Sequence, residues 1–285
     1  MLTHDRVSKI ERGLKDVYID TTESSFIDGS IGKLLYRGYN IHDLAEQSTF
    51  EEVIYLLLYG DLPTRQQLSE LDATLKAHRT IPGEVIRVLK LVRGSSSMDA
   101  LRTGISALSA FDPEVSDNSI EATIRKGIRL TAQAPTVVAS YHRICKGLEP
   151  VPPNQNLNHA GNFLYMVTGQ DPSQEESNLL DVDFILHAEH GANASAFATR
   201  VAASTFSDLH SAIVTGISVL KGHWHGGAAE EVMKMALEIG HPENADSYAR
   251  KILENGGRVM GFGHRVYKSE DPRARHLRER SKQLG

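Results

Sequence analysis

The sequence predicts a mainly α-helical protein with a small β-meander near its N-terminal end. Three observations carry this. From about residue 40 onward, apolar residues recur at helical spacing, and several of these stretches open with a capping signature. The first forty residues hold short β-type runs instead. Nowhere do strands alternate with helices, which argues against a Rossmann fold or a βα barrel.

The β-type runs are Val17-Tyr18-Ile19-Asp20, Ser25-Phe26-Ile27 and Lys33-Leu34-Leu35-Tyr36. Asp28-Gly29 lies between the last two and is a hairpin signal, so the meander is expected over about residues 16–37. Ser48-x-x-Glu51 reads as a capping box ahead of Val53-Ile54 and Leu56-Leu57-Leu58, with Gly60 and Pro63 as stops. Thr64-x-x-Gln67 opens the next helix, with Leu68, Leu71 and Leu75 on one face. Glu84–Val92 and Ala100–Ala110 follow; the second is small and apolar nearly all round, as a buried helix is. Ile120–Cys145 is long, and Pro135 is expected to kink or break it. Asn158–Val167, Glu175–His187, Ala194–Ala203, Leu209–Leu220 and Ala228–Ile239 continue the helical period, and a last helix runs from Ala274. The Pro-rich Glu149–Pro153 is expected to be a surface loop. Lys221–Gly227, with its three glycines, reads as a hinge. We therefore expect a large helical domain over 1–221 and the first part of a smaller one over 222–285.

Composition narrows the classes. With 285 residues, 40% of them hydrophobic and 24% charged, the chain has the make-up of a globular protein and too much apolar content for disorder. The longest apolar run, Val53–Tyr59, is far short of the ~20 residues of a membrane span. The start, MLTHDRVSKI, has no secretory h-region. Cys145 is the one cysteine, which excludes an internal disulfide or a cysteine-based zinc site and fits a reducing, cytoplasmic setting. A net charge of −5 gives no global field for nucleic acid. Yet eight of the 13 histidines fall between His187 and His276, and Arg258–Lys282 holds eight basic residues against three acidic ones. The last third of the chain is built to handle anions and protons.

Three motifs stand out there. In Gly222-His223-Trp224-His225-Gly226-Gly227-Ala228, a histidine sits at a helix start beside two glycines, where unpaired N–H groups and a neutral imidazole can meet an oxygen gaining charge. In Gly261-Phe262-Gly263-His264-Arg265, glycines again precede a histidine and basic residues follow. It lacks the Gly-Lys-Ser/Thr of a Walker loop and the strand–helix context of a dinucleotide fingerprint, but it can aim backbone N–H groups at an anion. In His187-Ala188-Glu189-His190-Gly191-Ala192-Asn193, the two histidines are expected on one helix face. The plain alternatives are a glycine turn with incidental histidines, a core histidine at His187, and a solvated helix face for Arg275, Arg278 and Arg280. His187/His190 and His223/His225 also have the look of metal pairs. The zincin order is not met and no barrel scaffold surrounds them, so no metal site is expected.

Taken in order, His187–Asn193, His225-Gly226-Gly227-Ala228, Gly261-Phe262-Gly263-His264 and Asp271-Pro272-Arg273 resemble the citrate synthase family, closest to its short bacterial and archaeal form. The N-terminal block Ile27-Asp28-Gly29 through Tyr36-Arg37-Gly38-Tyr39, with Leu44-Ala45, matches the same family. The resemblance implies an almost all-α homodimer whose two domains close on substrate. It implies condensation of acetyl-CoA with oxaloacetate and thioester hydrolysis to citrate and CoA, a step of the tricarboxylic acid cycle, with CoA as substrate and product and no permanently bound cofactor. His225 would hold the thioester carbonyl and stabilise its enol, and His264 would hydrogen-bond the oxaloacetate carbonyl. His190 and Arg273 would bind oxaloacetate, with His187 and Asn193 beside them. Val259, Met260, Gly261, Phe262 and Gly263 would lie along the adenine side of CoA, with Arg258, Arg265 and Lys268 facing its phosphates.

Two departures from the family pattern matter. The family usually has Gly-Pro before the first catalytic histidine, where this chain has His223-Trp224 after Gly222. The family's catalytic base, an aspartate in an Asn-Val-Asp-Phe-Tyr type motif beyond Asp-Pro-Arg, has no counterpart up to Gly285, so a C-terminally incomplete synthase with impaired turnover is expected. Glu270 and Asp271 belong to the turn before Arg273 and do not replace that base. Three competing functions remain at this stage. One is 2-methylcitrate synthase acting on propionyl-CoA, since one methylene separates substrates by only ~1–3 kcal/mol. The second is a non-catalytic, dimeric CoA-binding fragment, and the third a histidine-metal hydrolase.

Overall fold

A computed structural model describes residues 21–264 and 266–284. The run Val17–Asp20 lies outside these residues, as does Arg265. Strands β1 (Ser25–Asp28), β2 (Lys33–Tyr36) and β3 (Tyr39–Asn40) form an antiparallel sheet in sequence order. Thirteen α-helices follow among the described residues: α1 Ile41–Gln47, α2 Phe50–Tyr59, α3 Arg65–His78, α4 Gly83–Leu91, α5 Ser97–Leu108, α6 Ile120–Cys145, α7 His159–Thr168, α8 Gln174–His187, α9 Ala194–Ser204, α10 Leu209–Leu220, α11 Gly227–Ile239, α12 Ala245–Glu254 and α13 Pro272–Leu284. The mainly helical class with a small N-terminal sheet is therefore as the sequence predicted. Strand β3 and helix α12 were not foreseen. The first is only two residues long, paired through a turn at Arg37-Gly38. The second, ADSYARKILE, buries no residue although Ala245, Tyr248, Ala249, Ile252 and Leu253 form an apolar stripe at helical spacing, a signal the sequence reading passed over.

Two local expectations are corrected. The capping box of α2 is Thr49 with Glu52, one residue later than Ser48/Glu51. Ser48 is instead the C-cap of α1, and Glu51 turns inward, 5% exposed, where its Oε1 accepts from the His159 N–H at 2.8 Å and seats the start of α7. Pro135 does not break α6, which runs unbroken for 26 residues. A proline inside a helix costs ~3 kcal/mol; Leu130, Val137, Tyr141 and Ile144 offset this by packing into the core shared with α4 and α5, against which α10 also packs. The boxes Thr64/Gln67 and Ser173/Glu176 are formed at α3 and α8.

Packing brings α8 and α13 together. One core joins β2 (Leu34, Tyr36), α1, α2 and α8 (Val182, Ile185, Leu186), with Leu277 of α13 against it. Helix α13 is also tied to α1 by a bond between His42 Nδ1 and the buried His276 Nε2, at 2.7 Å. One ring donates there and the other accepts, so burial and the facing His42 both hold the His276 pKa below its ordinary value. The hairpin turn between β1 and β2 lies against the chain just before α13: Gly29 O accepts from the Lys268 N–H at 2.7 Å. A Cβ on Gly29 would sit 2.2 Å from Val266 O, so only glycine allows this approach.

Beneath α2, α7 and α8 lies a buried polar cluster. Asp181 is 6% exposed, and burial together with the nearby Glu51 pushes its pKa up to about 7. In the unfolded chain its value is near 3.8. Below that value Asp181 is protonated in both states. Between the two values only the folded state keeps the proton, so this group's contribution to stability falls as pH rises toward 7. Asp181→Asn keeps an acceptor for the Phe50 N–H and removes the titration. Its stability relative to the unsubstituted protein should therefore improve by a few kcal/mol between pH 4 and 7 in denaturant melts; a difference independent of pH would contradict it.

Candidate functional site

Two clusters of histidines form, joined by the loop after α8. Helix α8 ends at His187, so His187 and His190 do not share a helix face: the chain leaves the helix at Ala188, and Gly191 takes a positive φ of 67°. His187 stays outside, exposed, with Nδ1 bonded to the Asp183 carbonyl at 2.8 Å, and the contact with Asp183 raises its pKa. His190 turns inward. Its Nε2 lies 3.1 Å from the hydroxyl of Tyr267, which is only 4% exposed.

Tyr267 and His264 complete the first cluster. Ring centroids lie 5.5 Å apart for His190 and His264, and 4.8 Å for His264 and Tyr267. His264 Nδ1 accepts from the backbone N–H groups of Val266 and Tyr267, at 3.1 and 3.0 Å. A nitrogen accepting two N–H donors carries no proton, so the ring holds its proton on Nε2. Burial lowers the His264 pKa. Burial and then the charge of Arg273 push His190 down to about 4. Both rings are therefore neutral donors or acceptors at pH 7, and the fixed cation beside them is Arg273. Asp271 grips that guanidinium at Nε (2.9 Å) and Nη2 (2.6 Å), and Nη1 bonds to no described residue. Burial opposes ionisation of Asp271, yet the Arg273 hydrogen bonds hold its carboxyl below the usual range.

The second cluster surrounds His225. The chain turns sharply after α10: the His225 N–H bonds Gly222 O, and the Gly226 N–H bonds Leu220 O. A side chain on Gly226 would place Cβ 2.6 Å from that carbonyl. His225 thus stands just before the first turn of α11. Its Nε2 lies 2.9 Å from Ser195 Oγ, and Ser195 Oγ donates to Asn193 Oδ1 at 2.7 Å. Asn193 Oδ1 also caps α9 by accepting from the Ala196 N–H, so its oxygen is oriented. With the serine proton on Asn193, Ser195 accepts from His225 Nε2–H.

Of the residues singled out in the sequence, His190, His264 and Arg273 come together, and Asn193 joins His225. No bond or ring contact links the two clusters among the described residues, but His190 and Ser195 stand on one short segment. Arg258, Phe262, Gly261, Gly263 and Lys268 are exposed, with Val259 and Met260 half-buried. Trp224 is 89% exposed, its ring against His223. No group of three or more His, Cys, Asp or Glu placed to hold a metal is found among the described residues. Tyr267, Ser195 and Tyr36 were missed by sequence reading, since a lone tyrosine or serine carries no spacing signal.

Comparison with known proteins agrees with this architecture. Residues 13–285 match the family model described as citrate synthase, C-terminal domain. Citrate synthase 2 of Bacillus subtilis (strain 168) is 48% identical over 276 residues, which cover 96% of this chain and 73% of that one. The 2-methylcitrate synthase of Mycobacterium tuberculosis (strain ATCC 25618 / H37Rv) is 40% identical over 284 residues, covering 99% and 72%. The crystal structure of citrate synthase from Pyrobaculum aerophilum superposes with a TM-score of 0.90 at 41% identity, covering 96% and 71%. A ternary complex of carboxymethyl coenzyme A and oxaloacetate with citrate synthase from Thermoplasma acidophilum gives 0.89 at 32%, covering 97% and 73%. The fold is that of a transferase of the citrate synthase type. The chain belongs to the citrate synthase family.

The neutrality of His190 is directly measurable. Its ring resonances should not titrate between pH 6 and 8, and Arg273→Gln should move its pKa up by about one unit by removing the adjacent cation. A His190 titrating near 6.5 in the unsubstituted protein would contradict the burial described.

Proposed function

We propose that this chain binds oxaloacetate and an acyl-CoA for citrate formation. The reaction is condensation of acetyl-CoA with oxaloacetate, followed by thioester hydrolysis to citrate and CoA. The observation that carries it is the His264 ring, whose proton is held on Nε2 beside His190 and Arg273. A keto acid with two carboxylates needs a neutral donor at its ketone oxygen, which gains charge as the new C–C bond forms, and a cation for a carboxylate. His264 Nε2–H supplies the first and Arg273 Nη1 the second, with His190 completing the pocket; the expected substrate-side roles of His187 and Asn193 give way to an exposed contact with Asp183 and to the His225 cluster. His225, at the start of α11, would hold the thioester oxygen through Nδ1–H as the enol forms, which requires the Ser195 hydroxyl to turn its proton from Asn193 to His225 Nε2. Arg258 to Gly263, with Arg265 and Lys268, would follow CoA, and the basic excess of this segment suits its phosphates.

The methyl proton of the thioester needs a base. Of the carboxylates beside the first cluster, Asp271 has both oxygens held by Arg273 and Glu189 is tied down by Ser25 and the Gly191 N–H, while among the described residues no carboxylate bonds to the His225 cluster. We infer that neither serves as the base and that these 285 residues alone turn over slowly. A homodimer fits the exposed Ile120 and Val138 on α6, and a small domain starting at residue 222 fits the absence of buried residues from α11 and α12. The free Cys145 suits the reducing cytoplasm. Propionyl-CoA as the acyl donor is the second reading, favoured by the M. tuberculosis relative, itself a 2-methylcitrate synthase.

The test is calorimetric titration with oxaloacetate, followed by thiol release from acetyl-CoA and propionyl-CoA. Oxaloacetate should bind, and Arg273→Gln should weaken it at least tenfold, as loss of a charge-assisted bond does at ~1.5–3 kcal/mol. Thiol release should stay below about 1 s⁻¹. A folded protein that ignores oxaloacetate would end the substrate reading; ordinary turnover would place the base within these residues. The donor released faster names the acyl preference.

A further inference from the structure

Both loops of the His190–His264 cluster rest on the same short hairpin. Ser25 and Tyr36 are directly paired across β1 and β2, and both reach the loop after α8. Ser25 Oγ donates to Glu189 Oε1 at 2.9 Å. The Tyr36 hydroxyl donates to Leu186 O and accepts from the Glu189 N–H, each at 3.3 Å. Glu189 Oε1 also accepts from the Gly191 N–H at 2.6 Å, so the backbone on both sides of His190 is held to one carboxylate. A Cβ on Gly191 would lie 3.3 Å from Ile27 Cδ1, so β1 also packs under this loop.

The other end of the hairpin holds the other loop. Gly29 O accepts from Lys268 N, and the Gly29 backbone meets Val266 O where a side chain would be. Gly32 stands likewise against Glu270 O, 2.7 Å from where its Cβ would sit. Val266 N and Tyr267 N are the two donors that orient the His264 ring, and Asp271 and Arg273 follow within a few residues. The hairpin is itself anchored, since Leu34 and Tyr36 are 1% and 0% exposed in the core.

We propose that the β1–β2 hairpin is the positioning element of the oxaloacetate half of the site, with Ser25 and Glu189 placing His190 and Gly29 placing His264 and Arg273. None of these three need touch the substrate; they act through the residues they hold. The substrate named here rests on the function proposed above, while the positioning itself does not.

The experiment pairs oxaloacetate calorimetry with the ring resonances of His190 and His264. Glu189→Ala should move the His190 resonances further than those of His264, which its ring touches, and Gly29→Ala should do the reverse. Each should weaken oxaloacetate about tenfold, the scale of one well-placed hydrogen bond. Glu189→Gln, whose amide oxygen still accepts from Ser25 and Gly191, should return affinity to within about threefold. Both variants binding within twofold with unmoved resonances would overturn the proposal, as would a larger shift at His264 than at His190 in Glu189→Ala, or the opposite in Gly29→Ala. If the unsubstituted protein binds no oxaloacetate, the substrate reading fails and the resonances alone decide the positioning. Should Gly29→Ala fail to fold, hydrogen exchange in the unsubstituted protein decides that arm: the Lys268 N–H is expected to be protected, and exchange at open-loop rates would overturn it.

Discussion

The arrangement depends on how the C-terminal end of α8 is closed. A helix ends with carbonyls that have no partner inside it, and burying one unpaired costs ~1–3 kcal/mol. Here the Leu186 carbonyl is met by the Tyr36 hydroxyl, from a side chain with no exposed surface, and the same oxygen takes the Glu189 N–H. Burial pushes the Tyr36 phenol far above its ordinary pKa, so it remains a neutral donor at any pH at which the protein is folded. The chain is thereby committed to leave the helix where it does. His187 stays in solvent, His190 enters the cluster, and Asn193 arrives in position to cap α9.

That exit ties the two histidine clusters to one segment. Between His190 and Ser195 the chain passes from the Tyr267 contact to the His225 contact. Asn193 serves twice, because the oxygen that caps α9 is also the acceptor that fixes the Ser195 proton. A capping interaction worth ~1 kcal/mol to a helix thus also decides which nitrogen of His225 carries a hydrogen. Electrostatics in the first cluster follow the same economy. Burial and then Arg273 keep His190 neutral, and Arg273 holds Asp271 ionised, so the ion pair is neutral overall and the Nη1 edge that Asp271 leaves open is what can meet an anion.

What could be read in advance follows from how local each signal is. Helices α7, α8 and α10 each open on a side-chain cap in the residue before them, Asn158, Ser173 and Asp208, and their ends were placed to within a residue. The α2 box was misplaced by one because Ser48/Glu51 and Thr49/Glu52 both satisfy the pattern, and Glu51 was needed 108 positions away at His159. Pro135 misled because its cost is local while the core that offsets it is contributed by α4 and α5. The motif histidines were legible because glycines and basic residues flank them. Tyr267, Ser195 and Tyr36 were not: each acts through a contact 77, 30 or 150 positions distant, and nothing adjacent marks it.

The same distinction explains the glycines. Gly29 was legible as a turn residue through Asp28-Gly29, but its stronger constraint lies elsewhere. The turn could accept other residues; the contact with Val266 O cannot, because a backbone carbonyl occupies the place of a Cβ. Backbone-to-backbone contacts of this kind resist adjustment, since neither partner has a rotamer to change. They suit a joint that must keep two loops in fixed relation while side chains around them exchange partners with a ligand. The Gly226 turn before α11 has the same character, with a backbone carbonyl 2.6 Å from the missing Cβ. Each histidine at which charge would develop is therefore supported by a backbone contact that only glycine permits, and its ring orientation is then set by hydrogen bonds to backbone at His264 and to Ser195 at His225.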